Sequence, residues 1–184
     1  MKLSNNKVGK GYRLFRCPHL FITFLFLIVI IFICFIVRPV YSVKLYSENT
    51  TINQFIVKEN SEIYIDYTHS VMKTPVRDVF EIKRNNTFLL TRTEYSSFGA
   101  GLPTENYGTI KLVDGVYINS GINKELTNIS LRVGVIANHR LSFEDGRSIY
   151  LKDYVEGGSL ITIKPVRISK LQAFFIEGRN RSGR

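Results

Sequence analysis

The residues with the most versatile chemistry are His69, Glu94 and His139, because imidazole and carboxylate groups exchange protons and bind metal ions. If the fold brings the three together, they could hold zinc or another divalent cation, and the protein would be a metal-dependent enzyme. Ser70 adjoins His69, but neighbours on a strand point to opposite faces, so the two form no catalytic dyad by themselves. A G-x-S-x-G nucleophile elbow is absent from the sequence. We therefore predict a non-catalytic protein without a cofactor, in which each histidine hydrogen-bonds backbone, and keep the metal site as the alternative.

Two arginines, Arg132 and Arg140, are candidates for binding an anion, because the guanidinium fork matches a carboxylate. A small carboxylate is therefore a candidate ligand. The competing interpretation is that these arginines form cross-strand ion pairs with Glu94, Asp78 or Glu144, which would contribute little to stability.

The segment Glu94–Pro103, EYSSFGAGLP, places two glycines beside two serines. A phosphate-binding loop needs a helix after the glycines, and the next apolar run has strand character instead. Two interpretations stay open: a glycine-hinged corner between strands, or a loop that forms part of a ligand site. The complete set of predicted ligand-binding residues is His69, Ser70, Glu94, Ser97, Gly99, Gly101, Arg132 and His139.

The elements that position these residues follow an apolar run, Leu20–Val37, which contains eighteen uncharged residues. A helix of this length spans a bilayer core, and the uncompensated basic residues of segment 1–19 place the N-terminus in the cytoplasm. A cleaved signal peptide is the alternative, although its apolar core would be shorter. Both interpretations export the remainder. We predict a single-pass protein of the cytoplasmic membrane with an extracytoplasmic main domain.

The net charge of +10 does not indicate a nucleic-acid partner. Six of the 25 basic residues lie at or before Arg38 and all 15 acidic residues follow Val43, so the part from Val43 onward carries only +4. This excess reports membrane topology and a basic C-terminus rather than a nucleic-acid surface. Both cysteines, Cys17 and Cys34, precede the main domain, which must therefore be stable without disulfides.

Period-two alternation over short runs rich in Ile, Val, Tyr and Thr predicts a mainly β fold, an antiparallel β-sandwich or barrel-like domain over residues 43–176. Asn85-Asn86, Asp114-Gly115 and Asp145-Gly146 predict hairpin turns. The runs Thr51–Glu59 and Ser61–Val71 are also expected to form a hairpin. Residues 177–184 lack apolar side chains after Gly178 and are predicted to be a basic, disordered tail.

Three blocks in fixed order resemble a small prokaryotic family of exported domains of unknown function: HSVMKTPVRDVFEI (69–82), TEYSSFGAGLP (93–103) and ISLRVGVIANHRL (129–141). Its members are often found beside fused membrane subunits of TRAP-type (tripartite ATP-independent periplasmic) transporters. The resemblance implies a short, membrane-anchored or secreted β domain associated with such a transporter. Because these systems generally handle organic acids, it also agrees with a carboxylate ligand. The family brings no established activity.

The combined expectation is a membrane-anchored, extracytoplasmic accessory or binding module that associates with a TRAP-type organic-acid transporter. Two alternatives remain at this point. One is a metal-dependent exported enzyme that uses His69 and His139, and the other is a structural protein of the cell envelope.

Overall fold

The computed structural model describes residues 18–97 and 108–182, and the chain divides after Arg38 into two compact units. The first unit contains helix α1, Pro18–Val37, most of whose large apolar side chains are exposed. Within the described residues, no helix meets the combined requirement of length and apolarity for crossing a membrane. The assignment of residues 20–37 as a membrane span stays a prediction. Most of the basic segment 1–19 lies outside the described residues.

The second unit, residues 39–184, is built mainly of antiparallel strands, as the sequence predicted. Its described residues form eleven strands and one α-helix. The strands are β1 (Pro39–Ser47), β2 (Thr50–Val57), β3 (Glu62–Thr68), β4 (Pro75–Ile82), β5 (Phe88–Tyr95), β6 (Thr109–Val113), β7 (Val116–Leu126), β8 (Ile129–Arg132), β9 (Arg140–Phe143), β10 (Ser148–Tyr150) and β11 (Leu160–Ser169), and the helix is α2 (Lys170–Ser182).

These strands form two separate sheets whose inner faces share one core. The four-stranded sheet has the order β2-β1-β11-β8, and the seven-stranded sheet has the order β10-β9-β3-β4-β5-β7-β6. Val43 and Ile163 of the first sheet and Ile63 and Phe88 of the second are fully buried in the same cluster. Burying each such side chain stabilises the fold by about 1.5–3 kcal/mol. The described strands do not close into a barrel, so the sandwich-like alternative is confirmed.

Turn residues specify three of the predicted hairpins. Asp114 and Gly115 both have positive φ, 49° and 79°, which is the type I′ geometry that joins β6 to β7. Asn86 (φ 60°) and Gly146 (φ 87°) serve the turns of the β4–β5 and β9–β10 hairpins.

The predicted hairpin between residues 51–59 and 61–71 is wrong. Strand β2 pairs with β1, whereas β3 pairs with β4 and β9 in the other sheet. The turn at Asn60 (φ 57°) therefore carries the chain from one layer to the next. A turn signal shows that the chain reverses direction, but it does not show which strand becomes the hydrogen-bonded neighbour.

Helix α2 begins with a capping box. The Ser169 hydroxyl accepts a hydrogen bond from the Gln172 backbone N–H (3.2 Å), and the Gln172 side-chain oxygen accepts one from the Ser169 N–H (3.0 Å). The helix contacts β1, β2 and β11 and buries Ala173. It continues to Ser182, through most of the segment 177–184 for which the sequence predicts disorder.

Candidate ligand-binding cleft

A cleft of about 430 Å³ opens at the end of the seven-stranded sheet where β3 and β5 finish and β4 and β9 begin. Four charged side chains line it: Asp66, Arg77, Glu94 and Arg140. Its remaining wall is largely aromatic and polar, formed by Tyr67, Thr68, Pro75, Val76, Tyr95, Ser96, Val116, Asn138 and Tyr150. A cavity of this size can hold a small molecule, and the charged lining would favour a polar one.

Strand register sets the order of the four charges. Arg140 of β9 lies opposite Asp66 of β3, Asp66 lies opposite Arg77 of β4, and Arg77 lies opposite Glu94 of β5. Directly opposed residues project from the same face of a sheet, so the four side chains form one row of alternating sign. We call this row the outer charged row, because it lies on the face turned away from the four-stranded sheet.

Asp66 is the centre of the outer charged row. Its Oδ1 accepts a hydrogen bond from Arg77 Nε (2.6 Å), and its Oδ2 accepts from Arg140 Nη2 (3.1 Å) and Ser142 Oγ (3.1 Å). Partial burial would raise the pKa of Asp66, but these hydrogen bonds and the two guanidinium charges outweigh it and lower the pKa below its ordinary value. Asp66 is thus held as a carboxylate.

Arg77 and Arg140 use only part of their donor capacity on Asp66. Arg77 gives Nε and Arg140 gives Nε and Nη2, so both Nη groups of Arg77 and Nη1 of Arg140 have no hydrogen-bond acceptor within residues 18–97 and 108–182. Arg92 provides a contrast, since it donates from Nε to Glu94 and from Nη1 and Nη2 to Glu62. Arg77 and Arg140 are therefore the arginines at the cleft that retain donors for an added anion.

The opposite face of the same strands carries a polar row as well. Asp78, Thr93 and Asn119 are aligned on β4, β5 and β7, and Thr93 Oγ1 donates to Asp78 Oδ1 at 2.7 Å. Thr93 and Asn119 are buried, and the Asn119 side-chain oxygen has no hydrogen-bond partner among the described residues. We call these three residues the inner polar row. Desolvation raises the pKa of Asp78, although the Thr93 hydrogen bond opposes this shift.

His69 is buried in the turn between β3 and β4 and has a structural contact pattern. Its Nδ1 accepts hydrogen bonds from the backbone N–H groups of Val71 (3.3 Å) and Met72 (3.2 Å). An imidazole nitrogen that accepts N–H bonds is not available to a metal ion. This arrangement is the backbone-bonded histidine that the sequence predicts.

His139 lies between two residues that line the cleft, Asn138 and Arg140, but it is not itself part of the lining. Its Nδ1 accepts the Gly134 N–H (3.4 Å), and its ring lies against Tyr67 with centroids 5.6 Å apart. Desolvation lowers the pKa of His139 and favours the neutral ring.

The tentative metal set is not brought together. In the part of the chain that the structure describes, which includes His69, His139 and Glu94, no three His, Cys, Asp or Glu residues are grouped as metal ligands. Glu94 is engaged by Arg92 Nε at 2.9 Å, and each histidine uses Nδ1 for a backbone N–H.

The other predicted site residues are dispersed. Ser70 is exposed in the turn after His69, and the Ser97 hydroxyl lies 3.1 Å from that of Thr74. Arg132 is exposed on β8 of the four-stranded sheet, where it donates to the Gly158 carbonyl (3.1 Å). Gly99 and Gly101 lie outside the described residues, so the corner and ligand-loop interpretations both stay predictions. Among the predicted ligand residues, Glu94 lines the cleft.

Sequence reasoning missed Arg77 as a site residue, and of the two candidate arginines it kept Arg132 in the predicted ligand set rather than Arg140. The available signal was alternation. In PVRDVFEI, Arg77 stands between Val76 and Asp78, and neighbours on a strand point to opposite faces, so Arg77 faces away from the side that Val76 and Asp78 share. The juxtaposition with Arg140 depends on the pairing of β9 with β3, two strands that are far apart in sequence. That pairing has no local signature.

Residues 63–149 match the model of a family described as Domain of unknown function (DUF1850), so a domain of this kind is present in the chain. The match covers most of the seven-stranded sheet, including the outer charged row, the inner polar row and all of the cleft lining except Tyr150. Neither the curated proteins nor the solved structures yield a match to this chain.

Proposed function

We propose that the β domain is an extracytoplasmic, non-catalytic binding module that holds a small organic carboxylate in the cleft and is attached to the membrane through residues 20–37. The observation that supports a carboxylate ligand is the pair Arg77 and Arg140, which flank Asp66 and have unused N–H donors at the cleft. A planar carboxylate is the group that such donors match.

The balance of charge in the outer charged row favours a polar, modest-affinity ligand over a highly charged one. Arg77 and Arg140 are offset by Asp66 and Glu94, so the cleft carries no large excess of positive charge. A small carboxylate gains charge-assisted hydrogen bonds without displacing the existing ion pairs, whereas a polyphosphate would meet two carboxylates.

The test is calorimetric titration of the protein with acetate, lactate, succinate and citrate, and with succinamide as the uncharged analogue. At least one carboxylate should bind, and succinamide should not. Arg77→Gln and Arg140→Gln should each weaken that binding about tenfold or more, because one charge-assisted hydrogen bond is worth about 1.5–3 kcal/mol. The matched control is Arg132→Gln, an exposed arginine of the other sheet, which should leave affinity unchanged. Absence of binding by all four carboxylates would refute the ligand.

Membrane attachment is supported by the sequence of residues 20–37 and by the exposure of the apolar side chains of α1, from 41% at Ile30 to 66% at Phe26. Membrane attachment is tested by flotation of the full chain with phosphatidylcholine vesicles. The chain should float with them and should remain bound after treatment with alkaline carbonate. A chain that stays at the bottom of the gradient would contradict this part of the proposal.

The partner that we propose is a TRAP-type transporter membrane subunit, on the strength of the family resemblance and of carboxylate as the ligand chemistry. The geometry offers an edge for docking: β6 is exposed along its whole length, including Ile110, Leu112 and Val113, and it is the last strand of its sheet among the described residues. Co-purification of the full chain with such a subunit, expressed together in one membrane, should be lost on Leu112→Lys. Failure of the unmodified chain to co-purify would remove this partner.

A further inference from the structure

Helix α2 carries an apolar stripe on its exposed side. Leu171, Phe174 and Phe175 recur at helical spacing, and their exposed fractions are 57%, 72% and 66%. The residue that the helix buries is the small Ala173. A helix that covers a sheet normally turns its largest apolar side chains inward, so this orientation leaves an aromatic surface in need of an occupant.

The stripe is held in this orientation by defined contacts. The capping box of Ser169 and Gln172 fixes the first turn, and the helix body contacts β1, β2 and β11. On the outer face of this sheet, Ser42 and Gln54 are buried and bonded to each other (2.8 Å), beside the half-buried Ile56 and Val166 that are paired with Ser42.

The segment that contains the stripe has an excess of basic residues in its sequence. Residues 170–184 contain Lys170, Arg179, Arg181 and Arg184 against the single acidic residue Glu177. Aromatic and aliphatic side chains on one side of a helix, with basic residues at its ends, are the composition of helices that lie in the headgroup region of anionic bilayers.

The position of α2 in the chain agrees with a bilayer as the occupant. Pro39, the first residue of β1, is paired with Ser169, the residue that precedes α2. The chain reaches Pro39 from residues 20–37 through Arg38 alone. Helix α2 therefore begins at the end of the sheet to which the apolar segment is covalently joined.

We propose that α2 lies on the surface of the membrane, with Leu171, Phe174 and Phe175 inserted among the lipids and the basic residues at anionic headgroups. This inference rests on the membrane attachment proposed above. It makes the domain a body held to the bilayer at two points, which would fix the direction in which the cleft faces.

The test uses the absence of tryptophan from the protein. The full-length variant Phe174→Trp and, as the matched control, Val135→Trp are reconstituted into phosphatidylcholine–phosphatidylglycerol vesicles with brominated acyl chains. Val135 is 78% exposed and lies three residues after Arg132. Arg132 pairs with Leu160, the first residue of β11, whereas α2 follows Ser169, the last residue of that strand. The two ends of β11, Leu160 and Ser169, are separated by about 30 Å over the nine steps of that strand, and the two probes follow segments at opposite ends of it.

The Phe174→Trp variant should show strong quenching by the brominated lipid, and Val135→Trp should show none. Replacing phosphatidylglycerol by phosphatidylcholine should reduce the quenching at position 174, because the basic residues then lose their anionic partners. If the protein floats with the vesicles but position 174 is quenched no more than position 135, the inference is wrong while the attachment stands. A blue-shifted but unquenched signal from the Phe174→Trp variant would indicate a protein occupant, such as a second copy, and would equally overturn it. If the protein does not float, both proposals fail.

Discussion

The two faces of the seven-stranded sheet shift the pKa of an aspartate in opposite directions. On the outer face, Asp66 is held between Arg77 and Arg140, and its pKa lies below the ordinary value. On the inner face, Asp78 receives one hydrogen bond from Thr93, and burial raises its pKa. The two carboxylates lie on neighbouring strands, so the number and charge of the donors determine the ionisation of each, rather than the sheet itself.

The difference also separates a site that can accept a ligand from one that stabilises the fold. Guanidinium groups of the outer charged row have unused donors that face an open cleft. Thr93 and Asn119 of the inner polar row are buried and Asp78 is half-buried, so removing a hydrogen-bonding group there leaves its partner with little compensation from water.

Matched deletions of one hydroxyl on each face should give the largest effect on stability. Thr93→Val keeps the shape of a side chain that is 3% exposed but removes the donor to Asp78, and should lower the free energy of unfolding by about 1–3 kcal/mol. Ser142→Ala removes one of three donors to Asp66 on the outer face and should cost only about 0.5–1 kcal/mol. Urea denaturation of the two variants measures both values. A larger loss of stability in Ser142→Ala than in Thr93→Val would contradict the assignment of the stabilising role to the inner face.

The residues behind this contrast show what the sequence could predict. Alternation in runs such as EIYIDYT and PVRDVFEI predicted strands, and turn pairs such as Asp114-Gly115 located hairpins, because both signals are local. The pairing of β9 with β3 and the assignment of β2 and β3 to different sheets depend on contacts between distant segments. The cleft depends on the pairing of β9 with β3. The sequence can therefore indicate that an arginine suits an anion, but not that Arg77 and Arg140 lie on either side of Asp66.

Changing each aspartate to asparagine should move the pH dependence of stability in opposite directions. A folded pKa below the unfolded value of 3.8 means that Asp66 contributes stability above about pH 3.8, and that this contribution is lost as the pH falls through the folded value. Asp66→Asn should therefore be less stable than the unmodified protein at about pH 7, with a gap that narrows toward about pH 3.

The raised folded pKa of Asp78 has the opposite sign. Its ionisation costs stability as the pH rises from 3.8 through the folded value, so Asp78→Asn should gain relative to the unmodified protein between about pH 3 and about pH 7. Asparagine retains an oxygen that can accept from Thr93. Denaturation curves of the three proteins at both pH values decide the matter, and parallel shifts for the two variants would contradict the contrast between the faces.

The smallest expected effect belongs to His139, whose ring contacts Tyr67 beside the cleft. Its folded pKa lies below 6.5 because burial disfavours the charged ring, so the folded protein binds fewer protons than the unfolded chain as the pH falls through 6.5. Stability should be highest above that value, decrease toward the folded pKa, and then level off. His139→Gln should remove this decrease, seen as a smaller difference in the free energy of unfolding between about pH 7.5 and about pH 5. If His139→Gln left the difference between the two pH values unchanged, His139 would be as well solvated in the folded protein as in the unfolded chain. The part of the cleft around Tyr67 would then be open to water.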